Sequence, residues 1–483
     1  MRPALLVLAT VVLTGCSSQT PTPPAAAPAT TIPVTSKSPE AVSHFQKGQE
    51  LFDNLRTTEA VAEFEQALKL DPDFALARAS HGFATPGPAG LKEIEAAAAA
   101  SASLPEAERL AIEGALAFRR GDIAKARATS TRLAELVPGD WRAHYQLGQQ
   151  LLAEQRYSDA VPALRKATEL NPNAGAAHNM LGYAALRQGD ADSAIAAFQQ
   201  YVRIMPQEPN PQDSLGEALL AAGRFKESEA AFQKALELSP QFWNAHEGIA
   251  YARFYAGDWA GGRQALENAK AGATRLSDRI AVDYEMAAAA TAQRDTKTSL
   301  QLLDRIEKTP GGPVSDTAFV PLRRALVLND AGRYREALIQ AGAALKTADS
   351  GQLAPGQTRG LKGAALAQRI TAEAGLRDAK AAAKTAEAMD QAAAADPDQP
   401  FAQSARHYGR AMLALANGDP AGARGHFQAC SPEDLLCKWQ EVLAIEKAGD
   451  KAAAIAARDR LLKHYQRDPV ALIVWSRLAP KKT

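Results

Sequence analysis

Apolar and small side chains recur at spacings of three and four from residue 38 onward, which is typical of one face of an α-helix. Between residues 107 and 276 the whole pattern returns every 34 residues, in five consecutive copies. In one copy, two apolar stripes around Leu147 and Leu164 are separated by a turn, and Pro172 closes the unit. Such a unit predicts two antiparallel helices, and its repetition predicts an all-α solenoid.

Outside this block the period is less regular. Residues 41–74 form a good copy, whereas 75–106 predict a distorted copy or an insertion, because Pro86-Gly87-Pro88 interrupts them. Residues 352–401 are rich in Ala and Lys and predict helices without a clear phase. Further helix pairs are predicted at 279–312, 318–351, 402–434 and 435–468, and a capping helix at 470–478.

The 34-residue period, the closing prolines and the small residue that follows a Leu at Gly148, Gly182 and Gly216 resemble the tetratricopeptide repeat. The resemblance implies a right-handed α-α superhelix in which the first helix of each pair lines a concave groove for a protein or peptide. We therefore expect a lipoprotein signal peptide at 1–15, a lipidated Cys with a Pro/Thr/Ala-rich tether at 16–37, tetratricopeptide repeats at 38–276, and divergent helical repeats with a C-terminal capping helix at 277–483.

The resemblance also implies which slots of the first helices face the groove. From residue 141 to 276 these slots hold aromatic, amide and charged side chains, a mixture that is enriched at recognition surfaces but equally fits a solvated helix face. The candidate partner-binding residues are Arg142, Tyr145, Gln149, Asn179, Tyr183, Arg187, Asn210, Asp213, Glu217, Asn244, Glu247, Tyr251, Phe254 and Tyr255. The Lys and Asn of the family's carboxylate clamp are missing here, and the three acidic side chains favour a basic or amide-rich peptide.

The N-terminal segment resembles a targeting signal. An apolar run from Ala4 ends in Leu13-Thr14-Gly15-Cys16, which resembles the lipobox of bacterial lipoprotein precursors. The resemblance implies acyl chains on Cys16 and, because Ser17 follows, sorting to the outer membrane; the alternative is an ordinary secretory signal with an incidental Cys. Pro, Thr, Ala and Ser dominate residues 17–37, which predicts an extended spacer.

Charge and motifs narrow the function classes. Lys plus Arg number 55 and Asp plus Glu 54, so the net charge of +1 gives no reason to expect nucleic acid as a partner. The sequence lacks a P-loop, a GxSxG motif and a kinase motif set. We therefore expect no catalytic residue, no cofactor and no metal site.

Cysteines and histidines are the remaining candidates for a chemical site. Cys430 and Cys437 are expected at the ends of neighbouring helices, as a structural disulfide, two free thiols or a redox pair, although the spacing is not that of a CxxC motif. His44, His144, His178 and His246 occupy the same slot of their repeats, which favours packing over metal binding, and the other histidines lack zinc-site spacing.

Together these features favour a lipid-anchored scaffold that faces the periplasm and binds a protein or peptide, as an adaptor or assembly factor in the cell envelope. Two alternatives stay open. Solvent-exposed Tyr251, Tyr255 and Trp259 in one groove would favour a glycan-binding or polysaccharide-export accessory protein. A β-sheet within residues 352–434 would favour a transferase or a protease-associated enzyme.

Overall fold

The computed structural model describes residues 30–311, 313–395, 400–431 and 433–479, and the predicted signal peptide and Cys16 lie outside these ranges. The described residues form α-helices joined by short turns and contain no β-strand. None of the described helices is long and apolar enough to cross a bilayer. The helices are α1 Pro39–Asp53, α2 Thr57–Leu70, α3 Ala75–Ala84, α4 Gly87–Ala99, α5 Glu106–Arg120, α6 Ile123–Leu136, α7 Trp141–Ala153, α8 Tyr157–Leu170, α9 Gly175–Gln188, α10 Ala191–Ile204, α11 Pro209–Ala221, α12 Phe225–Leu238, α13 Asn244–Ala256, α14 Trp259–Gly272, α15 Leu276–Ala292, α16 Thr296–Glu307, α17 Val314–Thr317, α18 Val320–Asp330, α19 Tyr334–Ala348, α20 Pro355–Gly375, α21 Ala379–Ala394, α22 Pro400–Ala416, α23 Pro420–Gln428, α24 Leu435–Lys447, α25 Lys451–Leu461 and α26 Pro469–Leu478.

Consecutive helices pack in pairs, and each pair stacks on the next, so the predicted all-α solenoid is confirmed. The interruption at Pro86 and Gly87 is the turn inside a pair, because Gly87 takes a positive φ of 80° and begins α4. The unphased stretch after residue 352 forms the long helices α20 and α21. The described part of residues 352–434 holds helices and no sheet, so the feature that would favour an enzyme is missing there.

Gly148, Gly182 and Gly216 let the two helices of a pair approach closely, and the same slot of the next repeat holds Ala250. A Cβ placed on Gly148 would lie 2.6 Å from Cδ2 of Leu164, and a Cβ on Gly182 would lie 2.5 Å from the ring of Phe198. Contacts this short do not occur between real side chains, so a larger residue at either position would force the facing side chain to move. The Gly that follows Leu in the sequence pattern is therefore explained by close packing within these helix pairs.

The turn inside several pairs is made by a Gly-Asp dipeptide. Gly189 and Gly257 end α9 and α13 in the left-handed conformation, with φ of 86° and 90°. The following Asp190 and Asp258 cap the next helices, since their carboxylates accept hydrogen bonds from backbone N–H groups three residues later. The direction of each second helix is thus fixed locally.

The last helix, α26, departs from the expected cap. It packs on α24 and α25 as a cap does, but its most extensive contact is with α15, in the middle of the stack. Leu472 and Ile473 are buried in the same apolar cluster as Tyr251 and Tyr255 of α13. The C-terminal segment therefore folds back onto the concave side of the central repeats.

Candidate functional site

The first groove, called here the N-terminal groove, is the concave surface lined by α1, α3, α5 and α7, with a cavity of about 390 Å³. The rings of Phe52, Phe83 and Phe118 form a row across three repeats, with neighbouring centroids 6.2 and 6.0 Å apart. The rings of Trp141 and Tyr145, both on α7, contact each other with their centroids 5.9 Å apart. Phe118 is 41% exposed, and the burial of such rings is a main source of binding energy at protein interfaces.

Amide side chains lie beside these rings. Gln149 Nε2 donates a hydrogen bond to the Tyr145 hydroxyl at 2.9 Å, and Gln150 Nε2 donates to Glu154 at the same distance. Amides both donate and accept hydrogen bonds, so they can pair with the backbone of a bound peptide. The glutamines of this surface are Gln46, Gln49, Gln146, Gln149 and Gln150.

An ion pair joins the first and fourth helices of the N-terminal groove. Arg142 Nη2 donates to Asp53 Oδ2 at 2.6 Å, and the guanidinium lies 4.7 Å from the ring centroid of Trp141. Burial raises the pKa of the Asp53 carboxyl to about 6, although Arg142 acts in the opposite direction. Within the described residues the buried Nε of Arg142 has no hydrogen-bond partner, so one donor faces the groove region unpaired.

Residues 30–37 lie along the repeats. The backbone N–H of Ile32 donates to Asp140 at 2.8 Å, and the N–H and hydroxyl of Thr35 donate to Glu108 at 3.2 and 2.7 Å. The N–H of Lys37 similarly donates to a third carboxylate, Asp71, at 2.9 Å. The last residues of the predicted spacer, 30–37, are therefore held against the repeats, because carboxylates from successive repeats bind their backbone.

The second groove is the concave surface of α9, α11, α13 and α15, and the chain's own C-terminal segment lies in it. Arg467 Nη1 is 3.2 Å from Asp213 Oδ1, and Nη2 is 2.5 Å from Glu217 Oε1. The same guanidinium donates to the Asn244 carbonyl at 3.2 Å, and the Tyr255 hydroxyl donates to the carbonyl of Gln466 at 2.8 Å. The predicted acidic patch thus binds a basic side chain from within the chain.

Acidic groups outnumber basic groups in the second groove. Glu247 also faces Arg467, and burial raises the pKa of the Asp213 carboxyl to about 6. Glu285 accepts a hydrogen bond from the Tyr251 hydroxyl, and burial, together with the charge of Glu247, raises the pKa of Glu285 to about 8. Carboxyl groups hold protons at these pH values because water is largely excluded from them.

The expected exposure of three aromatic residues is wrong. Tyr251, Phe254 and Tyr255 are 1%, 1% and 4% exposed. The ring of Tyr255 lies 5.2 Å from that of Trp475 in α26, so the C-terminal helix covers it. Phe254 packs on Trp259 of α14 at 5.1 Å, which means that it points into its own helix pair.

The other predicted residues are divided between the two grooves and one further cleft. Tyr183 donates to Glu217 at 3.0 Å, and Asn179 accepts from Ser214 at 3.4 Å, so both are engaged in the second groove. Arg187 instead lines a cleft between α8 and the turn after α23. The predicted residues that line the N-terminal groove are Arg142, Tyr145 and Gln149, and those at the second groove are Asn179, Tyr183, Asp213, Glu217, Asn244, Glu247, Tyr251 and Tyr255. The side chain of Asn210 instead donates a hydrogen bond to the Tyr201 hydroxyl of α10 at 3.2 Å.

The two C-terminal cysteines meet at the corner between α23 and α24. The Sγ atoms of Cys430 and Cys437 are bonded, and their Cα atoms are 6.5 Å apart. Asp434 lies beside them, and these three residues form a cluster of metal-ligand types. Both Asp434 oxygens are engaged, however, because one accepts from Cys437 N at 2.9 Å and the other from the Ser404 hydroxyl at 2.7 Å. The carboxylate therefore acts as a helix cap.

Two of the repeated histidines have the same structural contact. Nε2 of His144 and Nε2 of His178 each lie 3.0 Å from the carbonyl of a proline six residues earlier, Pro138 and Pro172 respectively. Each imidazole can thus donate to the loop that opens its own repeat. This contact accounts for two of the four histidines in the slot, and the third, His44, instead lies 2.6 Å from Glu63 Oε2.

Three segments of the chain match models of a known protein family. Family models of the tetratricopeptide repeat match residues 41–74, 145–209 and 212–242. The chain contains tetratricopeptide repeats. Outside these matched segments, the same paired-helix architecture continues through residue 461. No curated protein sequence matches the chain.

Several solved structures match parts of the chain. MamA from Desulfovibrio magneticus RS-1 is 21% identical, with a TM-score of 0.32, and the match covers 34% of this chain and 93% of MamA. A tetratricopeptide repeat protein from Parabacteroides merdae is 12% identical, with a TM-score of 0.37 and coverage of 60% and 100%. YrrB, described as a protein with an unusual peptide-binding site, is 15% identical, with a TM-score of 0.30 and coverage of 45% and 95%.

Several residues of the grooves are missing from the sequence-based prediction. Phe52 and Phe118 occupy the same slot of their repeats, and extending the slot pattern to the copies before residue 141 would have found both. The same extension would have found Glu108, which lies 34 residues before Arg142 and occupies the same slot. Arg467 shows no such signal, since its partner Asp213 lies in a distant repeat unit.

Proposed function

We propose that this chain is a scaffold that binds a non-helical segment of a partner protein in the N-terminal groove. The observation that carries the proposal is the row of aromatic rings from Phe52 to Phe118, of which Phe118 is 41% exposed on the concave surface. The neighbouring amides supply hydrogen-bonding groups for a peptide backbone. The binding of residues 32–37 by carboxylates of the same repeats supports the same mode of recognition.

Paired substitutions test this proposal in cells. Phe83→Ala with Phe118→Ala removes two rings of the N-terminal groove, whereas Ile339→Ala removes a 69% exposed side chain from α19. Affinity capture from the envelope fraction, quantified by mass spectrometry, is expected to show at least one protein that the double variant loses about tenfold and that the Ile339 variant retains. A double variant that folds and captures the same proteins in the same amounts would contradict the proposal.

We further propose that the scaffold is anchored in a bacterial envelope membrane through acyl chains on Cys16, faces the periplasm and is sorted to the outer membrane. The lipobox-like Leu13-Thr14-Gly15-Cys16 and the following Ser17 support this location. Cys16→Ala is expected to move the protein from the membrane fraction to the soluble fraction. Retention of the variant in the membrane fraction would contradict the lipid anchor while leaving the groove proposal untouched.

A glycan ligand is not favoured by the geometry. The observation that would have supported it was a groove with exposed Tyr251, Tyr255 and Trp259, but both tyrosines are buried under the C-terminal segment. Trp259 packs on Phe254 within its helix pair. These rings therefore do not form a free surface on which a sugar could stack.

A further inference from the structure

The segment that enters the second groove is the connection between α25 and α26, in which residues 463–468 form a non-helical stretch. Its contacts with the second groove come from Tyr465, Gln466 and Arg467. Helix α26, by contrast, is fixed by apolar burial of Leu472 and Ile473. The loop can therefore leave the second groove while α26 stays in place.

The contacts of Arg467 are those of a bound ligand side chain. Its guanidinium donates to two carboxylates and one backbone carbonyl, and its Cζ lies 5.9 Å from the ring centroid of Phe232. The planar guanidinium suits such recognition, because its donors diverge in one plane and its face stacks on an aromatic ring. The pocket therefore selects an arginine by shape as well as by charge.

The pocket also carries more acceptor capacity than Arg467 uses. Asp213, Glu217 and Glu247 face one guanidinium, so the carboxylates exceed the basic groups. The buried Oδ1 of Asn244 has no hydrogen-bond partner within the described residues. A segment that brings Arg together with a further donor would match this pocket better than the C-terminal loop does.

We propose that residues 465–467 are a built-in ligand of the second groove, and that its external ligand is a non-helical protein segment that carries an arginine. The C-terminal loop then keeps the second groove closed until such a segment replaces it. This site is separate from the N-terminal groove, so the two proposals stand or fall independently.

The test uses the full chain with Arg467→Ala and a fluorescein-labelled peptide that copies residues 463–469, read by fluorescence anisotropy. The variant is expected to bind this peptide at least tenfold more tightly than the wild type does. Adding Asp213→Asn and Glu217→Gln to the variant is expected to abolish that gain, as is replacing the arginine of the peptide by alanine. Equal binding of the arginine and alanine peptides by a folded Arg467→Ala chain would overturn the proposal and make Arg467 a purely structural ion pair.

A second measurement covers the case in which Arg467→Ala does not fold. Hydrogen exchange of the wild-type chain is followed at residues 463–468 with an excess of each peptide. The arginine peptide is expected to accelerate exchange in this loop at least threefold, because it displaces the loop, and the alanine peptide is expected to leave it unchanged. Exchange that neither peptide alters would overturn the proposal.

Discussion

Arg467 follows Asp213 by 254 positions in the chain, yet its Nη1 lies 3.2 Å from Asp213 Oδ1. Two further long-range contacts accompany this pair, from Tyr157 to Glu433 and from Arg477 to Asp330. A simple solenoid is stabilised by contacts between neighbouring repeats alone. Here the C-terminal repeats are tied to the central ones, and the contact between Arg467 and Asp213 closes the second groove.

Arg477 is expected to be one of the strongest of these ties. Its side chain is 7% exposed and donates to Asp330 and to the carbonyls of Thr291 and Ala292. Arg477→Ala leaves a buried carboxylate without its partner, so we expect the free energy of unfolding to fall by about 3–5 kcal/mol in urea titrations. The control is Arg224→Ala, whose exposed pair with Glu227 predicts a much smaller change. Similar losses for both variants would show that the buried contacts of Arg477 contribute no more to stability than an exposed ion pair does.

Two glycines give opposite predictions for the same substitution. Gly182→Ala places a Cβ 2.5 Å from the Phe198 ring and is expected to destabilise the chain by about 1–3 kcal/mol. Gly360 lies within α20, where an added Cβ would meet no atom within 4 Å, so Gly360→Ala is expected to stabilise the chain by about 0.5–1 kcal/mol. Thermal unfolding of the two variants measures both effects, and a stabilised Gly182 variant would contradict the close packing of the helix pair.

The sequence pattern reveals a contact within one repeat unit but not a contact between distant units. Gly182 and Phe198 lie in one repeat unit, so their relationship recurs with the 34-residue period and is visible in the pattern. Arg467 and Asp213 belong to units far apart in the chain, and a single ion pair leaves no periodic trace. The fold and the N-terminal groove residues of α7 were therefore predictable, whereas the closure of the second groove was not.

The slot pattern also predicts which surface a side chain faces better than it predicts whether that side chain is exposed to solvent. The slot of Tyr255 predicts that its side chain faces the concave side, but the pattern cannot reveal that Trp475 covers it. Phe254, the residue before Tyr255, lies on a different face of α13 and packs on Trp259 of α14. A slot therefore indicates which surface a side chain meets, and only the folded chain decides whether that surface is free.

Glu285 predicts a pH-dependent stability. Its folded-state pKa of about 8 lies above the ordinary value of about 4.3, so the folded protein retains a proton that the unfolded chain releases between these pH values. The contribution of this group to stability is therefore full below about pH 4 and is lost as the pH rises through 8. Glu285→Gln keeps an acceptor for Tyr251 but does not ionise. The free energy of unfolding of this variant, relative to that of the wild type, should therefore increase by on the order of 2–5 kcal/mol between about pH 5 and pH 9.

The control for this prediction is Glu227→Gln. Its hydrogen bond with Arg224 lowers the pKa of Glu227, so this group stays ionised from pH 5 upward. The difference between that variant and the wild type should be constant over the same range. Melting temperatures measured at several pH values compare the two variants, and a constant offset for Glu285→Gln would contradict a raised pKa.

The bond between Cys430 and Cys437 gives a direct chemical prediction. Alkylation of the unfolded protein without a reductant is expected to leave both cysteines unlabelled, and mass spectrometry is expected to find their peptides linked. Cys430→Ser with Cys437→Ser is expected to lower the free energy of unfolding by about 2–3 kcal/mol, since the disulfide closes a short loop. Full labelling of both thiols in protein purified from an oxidising compartment would contradict the bond.

Site-specific photo-crosslinking is the most direct measurement of partner binding in the N-terminal groove. Benzoylphenylalanine is placed at position 118, which is 41% exposed in the N-terminal groove, and in a separate protein at position 339, which is 69% exposed on α19. Irradiation of intact cells is expected to join a discrete partner to position 118 and not to position 339, and Phe83→Ala is expected to weaken the product at 118 about tenfold. Crosslinks of the same partner at both positions, or a product at 118 that Phe83→Ala does not change, would contradict binding in the N-terminal groove.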